Sequence, residues 1–169
     1  SVLRSISMAS YHHAQNNPSA VMYNRPLSAE KYDDSRWIAE PCRLFDCCQE
    51  NDGAAACIIV SAEKAKDMKQ KPAFILGAVQ GSDHRCGAPV MNATNFPSSS
   101  FASLAPRLYE MAQVKPSDVD VVQSYENFTI GVMMAVVEHG FCEPNECNEF
   151  FQLENLLAPS GKMPLNTSG

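Results

Sequence analysis

The stretch that most constrains this chain is Asp118–Gly140, DVDVVQSYENFTIGVMMAVVEHG. It reads as a short apolar strand, a polar turn and an amphipathic-to-buried helix closed by Gly140, a residue suited to the C′ position. Tyr125, Glu126 and Asn127 fall where the strand gives way to the helix. In open α/β sheets ligands collect beyond the carboxyl ends of the strands, so a tyrosine and a carboxylate at that junction are placed for chemistry. A packed ring, a solvated acid and a helix cap explain the same residues without chemistry, and spacing alone favours that plainer reading.

Composition narrows the classes. At 169 residues the chain is long enough for one domain with a real core, and an apolar fraction of 45% argues against disorder. A net charge of −6, with no basic run, excludes a nucleic-acid footprint. No stretch reaches the roughly 20 continuous apolar residues that span a bilayer, and no signal peptide is visible. The seven cysteines include an adjacent pair, Cys47 and Cys48, and Cys57 inside the apolar run AAACIIV. An odd count so arranged fits reduced, intracellular thiols. The four-residue gaps of Cys42/Cys47 and Cys142/Cys147 are not zinc-site spacings, so no metal is expected. The opening on Ser1 and the turn-like close PLNTSG lead to the expectation of a fragment.

Along the chain, residues 1–16 are predicted as a helix stopped by Asn17-Pro18. His12 and His13, at its end, are expected to face solvent. Ser28 caps a short helix to Asp34, and Arg36–Ala39 is extended. Strands are predicted at Leu44–Cys48, Ala54–Val60 and Pro72–Gln80, with a turn at Asn51-Asp52-Gly53 and a helix from Ser61 to about Met68. Residues 81–97 form a long loop, and loops of that length are often functional. Helical spacing over Ser98–Gln113 contains Pro106, so that helix either starts late or kinks. A short helix over Asn148–Leu157 and a punctuated loop to Gly169 complete the chain. Alternation of strands and helices from residue 43 onward argues an α/β fold.

Three blocks, SRWIAEPCRLFDCCQENDGAAACIIVSAEKAKDM (35–68), DVDVVQSYENFTIGVMMAVVEHGFC (118–142) and MPLNTSG (163–169), together resemble the thiolase superfamily, specifically its sterol-carrier or lipid-transfer-protein branch. The resemblance covers residue 17 to the end. It implies part of the layered α-β-α-β-α thiolase fold: residues 1–40 as the end of the loop domain, 41–71 as the last strand and helix of the first half, and 72–169 as most of the second half. It also implies that the family's nucleophilic cysteine lies before Ser1 and its remaining catalytic loops after Gly169. Cys47 and Cys48 match a strand end before the Asp52-Gly53 turn and are given a structural role.

Ordinary thiolases carry Asn-Glu-x-Phe after this strand and sterol-carrier thiolases His-Asp-x-Phe, the first residue serving the oxyanion site. Here the motif stands as Tyr125-Glu126-Asn127-Phe128, which departs from both and is similar to the aldolases that shorten steroid side chains. A thiolase must form an acyl-enzyme on a thiolate. Retro-aldol cleavage needs only a base for the hydroxyl proton and donors for the enolate, although a phenol with a reference pKa near 10 requires help to act as that base.

The resemblance therefore implies a catalytic Tyr125 with Glu126 in support, by orienting a neighbouring group or holding the turn. Asn127 is expected as a helix cap, Phe128, Met133, Met134 and Phe141 as packing, and Asp52, Gly53, Asn166 and Thr167 in turns near the site. It implies a β-hydroxyacyl-CoA substrate from a lipid or steroid side chain, with no bound cofactor beyond coenzyme A as substrate. The alternatives are a β-ketoacyl-CoA thiolase and a silent scaffold subunit. The expected partners are a second copy in a homodimer and a small OB-fold, zinc-ribbon protein, and the expected compartment is the cytoplasm, or the peroxisome in a eukaryote.

Overall fold

The computed structural model describes residues 1–82 and 98–169. Its packed part is built around helix α1 (Val2–Ala14), whose first turn is capped by the Ser1 side chain accepting from Arg4 N. Leu3, Ile6, Ser7, Ala9, His13 and Ala14 are buried, a helical period that turns one face to the core. Helices α5 (Thr129–Glu138) and α7 (Leu153–Leu156) pack on that face. Ile6, Ala9, Val132, Val136, Cys142, Phe151, Leu156 and Leu165 form the core cluster, with Met133 and Phe141 packed at its edge as expected. Each large apolar side chain fully buried there stabilises by about 1.5–3 kcal/mol.

The predicted cap at Ser28 is present: its hydroxyl accepts from Lys31 N at the start of α2 (Ala29–Asp33). The extended Arg36–Ala39 segment becomes β1 (Trp37–Ala39), paired antiparallel with β2 (Cys42–Arg43), and the Arg43 guanidinium lies 3.9 Å from the Trp37 ring centroid. Leu44–Cys48 is not a strand. Asp46 turns inward to accept from Arg43 N at 2.7 Å, which closes a 3-10 turn over Leu44–Asp46 and leaves Cys47 a single antiparallel bridge to Phe128.

The runs 54–60 and 72–80 join no ladder and are not buried: Ile58, Ile59, Phe74, Ile75 and Leu76 stand exposed. An apolar run becomes a buried strand only with a strand beside it and a layer above it, and the described residues supply neither. Ser61 caps Lys64 N as predicted, but α3 is the single turn Ala62–Ala65. The predicted loop 81–97 falls almost wholly outside the described residues.

Helix α4 (Phe101–Ala112) begins before Pro106 and runs through it. The start is fixed from another element, because the Glu138 carboxylate accepts from Ser99 N and Phe101 N, both at 2.8 Å, and from Ala102 N at 3.4 Å. A 3-10 turn at Pro116–Asp118 precedes the predicted strand, which is reduced to one parallel bridge between Val122 and Leu165. Gly140 sits at C′ of α5 with φ of +78°, a left-handed conformation that glycine takes without steric cost. Asn127 does not cap α5: Phe128 is the cap residue, and Asn127 Oδ1 is occupied by Phe128 N at 2.9 Å. The helix predicted over 148–157 is two, α6 (Cys147–Phe150) and α7, because Asn155 Nδ2 bonds the Glu149 and Phe150 carbonyls and closes the first.

Candidate active site

Residues from five parts of the chain converge on one cleft of about 330 Å³, lined by α1, Met22, the 45–49 segment, the 123–126 segment and the 166–169 loop. Two contacts bring the strand-helix junction to its place. Cys48 N donates to Asn127 O at 2.9 Å, tying the segment after Asp46 to the junction. Val122 N donates to Pro164 O at 3.0 Å, tying the junction to the final loop.

Tyr125 stands at the mouth of this cleft, 81% exposed, with its ring free of the core. Glu126 points the other way and is sheltered. Its Oε2 accepts from Ser10 Oγ of α1 at 2.5 Å and from Asn166 Nδ2 at 2.9 Å. Burial pushes its carboxyl above the ordinary carboxylate range, the Asp46 charge adds to that, and the two hydrogen bonds oppose it. The raised direction favours a carboxyl that can hold a proton nearer neutrality. Tyr11 of α1 lines the same cleft, its phenol pushed up by burial and secondarily by Glu126.

Behind the cleft lies a buried polar cluster. Asp46 accepts from Tyr32 OH at 2.6 Å, from Arg43 N, and from Ser7 Oγ at 3.2 Å, and Ser7 Oγ lies 3.2 Å from Thr129 Oγ1 at the head of α5. This network joins α1, α2, β2 and α5, so it fixes the cleft wall. Burial of the Cys47 thiol, with the Asp46 charge second, pushes its pKa up, and its Sγ is 3.7 Å from Arg43 O. A thiol so placed is a poor source of thiolate.

Of the residues expected near the site, Tyr125, Glu126 and Asn166 line the cleft together. Thr167 Oγ1 accepts from Gln123 Nε2 at 2.8 Å, at the rim. Asp52 and Gly53 are exposed and do not reach the cleft. His13 corrects its expectation: it is buried, and its Nε2 accepts from Ala158 N at 2.9 Å, while His12 is exposed as expected. Ser10, Tyr11 and Asp46 were missed. For Ser10 and Tyr11 the only signal is the helical register of α1, which puts them beside the Ile6/Ala9/His13 stripe; Asp46 shows none beyond its place before the Cys pair. Among the described residues no group of three or more His, Cys, Asp or Glu is arranged to hold a metal.

The fold and this cleft define an α/β protein whose candidate site lies between the isolated Val122–Leu165 bridge and the start of α5. Residues 81–169 match the family model described as thiolase C-terminal domain-like, and the chain belongs to the thiolase family. It is 35% identical to the 17-hydroxy-3-oxo-4-pregnene-20-carboxyl-CoA lyase of Mycobacterium tuberculosis, over 97% of this chain and 43% of that protein. It is 38% identical to the steroid side-chain-cleaving aldolase of Thermomonospora curvata, over 93% of this chain and 40% of that protein. A solved structure titled Ltp2-ChsH2(DUF35) aldolase superposes with a TM-score of 0.92 at 34% identity, covering 99% of this chain and 44% of that one. The chain thus spans about two fifths of the length of the curated relatives it matches. No helix among the described residues is long and apolar enough to cross a membrane.

Proposed function

We propose that this chain supplies the Tyr125–Glu126 part of a site that breaks a carbon-carbon bond next to a coenzyme A thioester, by retro-aldol cleavage of a β-hydroxyacyl-CoA with a lipid or steroid side chain. The observation that carries it is the pairing of an outward Tyr125 with a sheltered, hydrogen-bonded Glu126 on one cleft. The names of the lyase and aldolase relatives support the same reaction class.

In this reaction a base takes the proton of the β-hydroxyl. The O–H electron pair becomes the new C=O bond as the Cα–Cβ bond breaks, and the Cα–Cβ pair passes to the thioester as its enolate. A proton returned to Cα leaves a carbonyl fragment and a shortened acyl-CoA. Tyr125 handles the proton at the β-oxygen and Glu126 supports it; no acyl-enzyme forms. The β-ketoacyl-CoA thiolase alternative needs a thiolate, and the raised Cys47 thiol weighs against Cys47 as its source.

The domain assignment belongs to the same reading: 1–40 as the end of a loop domain, 41–71 as the close of the first half, and 72–169 as most of the second. The exposed runs 54–60 and 72–80 support it, since both would be strands in a layered sheet. A homodimer with a small OB-fold, zinc-ribbon partner is part of the proposal; the two-protein title of the similar structure supports a partner protein.

The test is the natural full-length polypeptide, with any partner it purifies with, assayed on a β-hydroxyacyl-CoA and, with free coenzyme A, on a β-ketoacyl-CoA. Wild type should cleave the first, and Tyr125→Phe should lower kcat by about 10²–10⁴-fold, the range of a lost acid/base group. Full turnover of both substrates by Tyr125→Phe excludes an acid/base role for this residue. A wild type inert on both points to the scaffold alternative.

A further inference from the structure

Asn166 touches the ridge that carries Tyr125 at three points. Its backbone N–H donates to Val122 O at 2.9 Å, its side-chain Oδ1 accepts from Ser124 N at 2.8 Å, and its Nδ2 donates to Glu126 Oε2 at 2.9 Å. The three partners are alternate residues, and the last two flank Tyr125. Asn166 is buried, 6% exposed, and has a φ of 51°. That left-handed conformation is one asparagine adopts more readily than most residues with a Cβ. Only an amide side chain of this length carries both the acceptor Ser124 needs and the donor Glu126 needs.

The grip on Glu126 is one-sided. Ser10 Oγ and Asn166 Nδ2 both bond Oε2, and no donor among the described residues reaches Oε1. One carboxylate oxygen is therefore anchored to α1 and the final loop, while the residue as a whole lines the cleft.

We propose that Asn166 is a positioning residue for the cleavage site: it fixes the Val122–Glu126 ridge so that Tyr125 projects outward, and it fastens Glu126 by Oε2. The inference rests on the reaction proposed above. The titratable groups facing Glu126 are Tyr11 of α1 and Asp46 of the 3-10 turn, and His13 of α1 lies against the loop that carries Asn166.

Asn166→Asp tests it in the full-length enzyme. The substitution keeps the size and the acceptor for Ser124 N but sets an anion against Glu126. In protein that still unfolds cooperatively, kcat on the β-hydroxyacyl-CoA should fall at least about tenfold near neutral pH, with KM within about threefold. The deficit should shrink as pH falls toward about 5, because two adjoining carboxyls retain one proton between them and the shared proton rebuilds the hydrogen bond. Asn166→Ala should lose a similar amount with no recovery at low pH. Ser10→Ala, which removes the other donor to Oε2, should give a smaller fall in kcat and serves if Asn166→Asp does not fold. Unchanged kcat in the folded Asn166 variant, or in Ser10→Ala where that variant does not fold, overturns the positioning role. A wild type that does not cleave the substrate overturns the reaction instead, so the two failures are distinct.

Discussion

The chemistry of this molecule turns on a few buried polar side chains. Asp46 is 1% exposed and holds Tyr32, Arg43 and Ser7; removing its carboxylate orphans the Tyr32 hydroxyl and Arg43 N, while Ser7 Oγ keeps Phe45 O at 3.0 Å. Asp46→Ala should cost about 3 kcal/mol, read as a lower denaturant midpoint, since each unpaired buried donor costs about 1–3 kcal/mol and partial relaxation is expected. Glu126 adds a pH dependence with a definite sign. Its carboxyl is raised from a value of 4.5 by burial, so the folded state binds its proton more tightly than the unfolded chain does. The stability it contributes is full below about pH 4.5 and is lost as pH rises through the folded value. Glu126→Gln keeps an acceptor for Ser10 and Asn166 and removes this charge. Its stability relative to wild type should rise between about pH 4 and pH 7 in thermal melts, and a constant difference across that range would sink the assignment. Tyr125 and Glu126 were legible as residues in the sequence. Their opposite orientations were not, because orientation depends on Ser10 and Asn166, which lie far away in the chain.

Elements form here where a local signal and a distant partner agree. The Ser28 and Ser61 caps are local, read directly from side chain and spacing, and both are present. Helix α4 is different, because its first turn is satisfied by Glu138 from α5. Glu138→Ala should lower stability by about 1–2 kcal/mol in denaturant unfolding, and Glu138→Gln by less, since an amide oxygen still accepts. A loss no larger than that of Glu110→Ala, at an exposed glutamate of α4, would show that the cap contributes nothing. The same contrast explains the misplaced elements: the 44–48 strand was replaced by a turn because Asp46 found a closer partner in Arg43 N, and the 148–157 helix broke where Asn155 capped its first half.

At the scale of the whole molecule, the described residues pack α1, α5 and α7 tightly and leave two apolar runs uncovered. Ile58 is 82% exposed and Ile75 is 68% exposed, with Ile59, Phe74 and Leu76 alongside them. Contiguous apolar surface of this kind marks an interaction or a missing layer. Residues 1–169 taken alone should bind a hydrophobic dye and self-associate in sedimentation, and Ile58→Thr with Ile75→Thr should reduce both. A monodisperse chain that binds no dye would show that these runs find cover within the chain.

The sequence by itself determined the α/β class, the family, most helix starts and the junction that carries Tyr125 and Glu126, because caps, periodicity and short motifs are local properties of a chain. Only the tertiary structure decided that His13 is buried, that the apolar runs lack partners among the described residues, and that Ser10 and Asn166 grip one oxygen of Glu126. Those contacts join groups far apart in the chain, 116 residues for Ser10 and Glu126 and 40 for Asn166 and Glu126, and no local pattern encodes which of them meet.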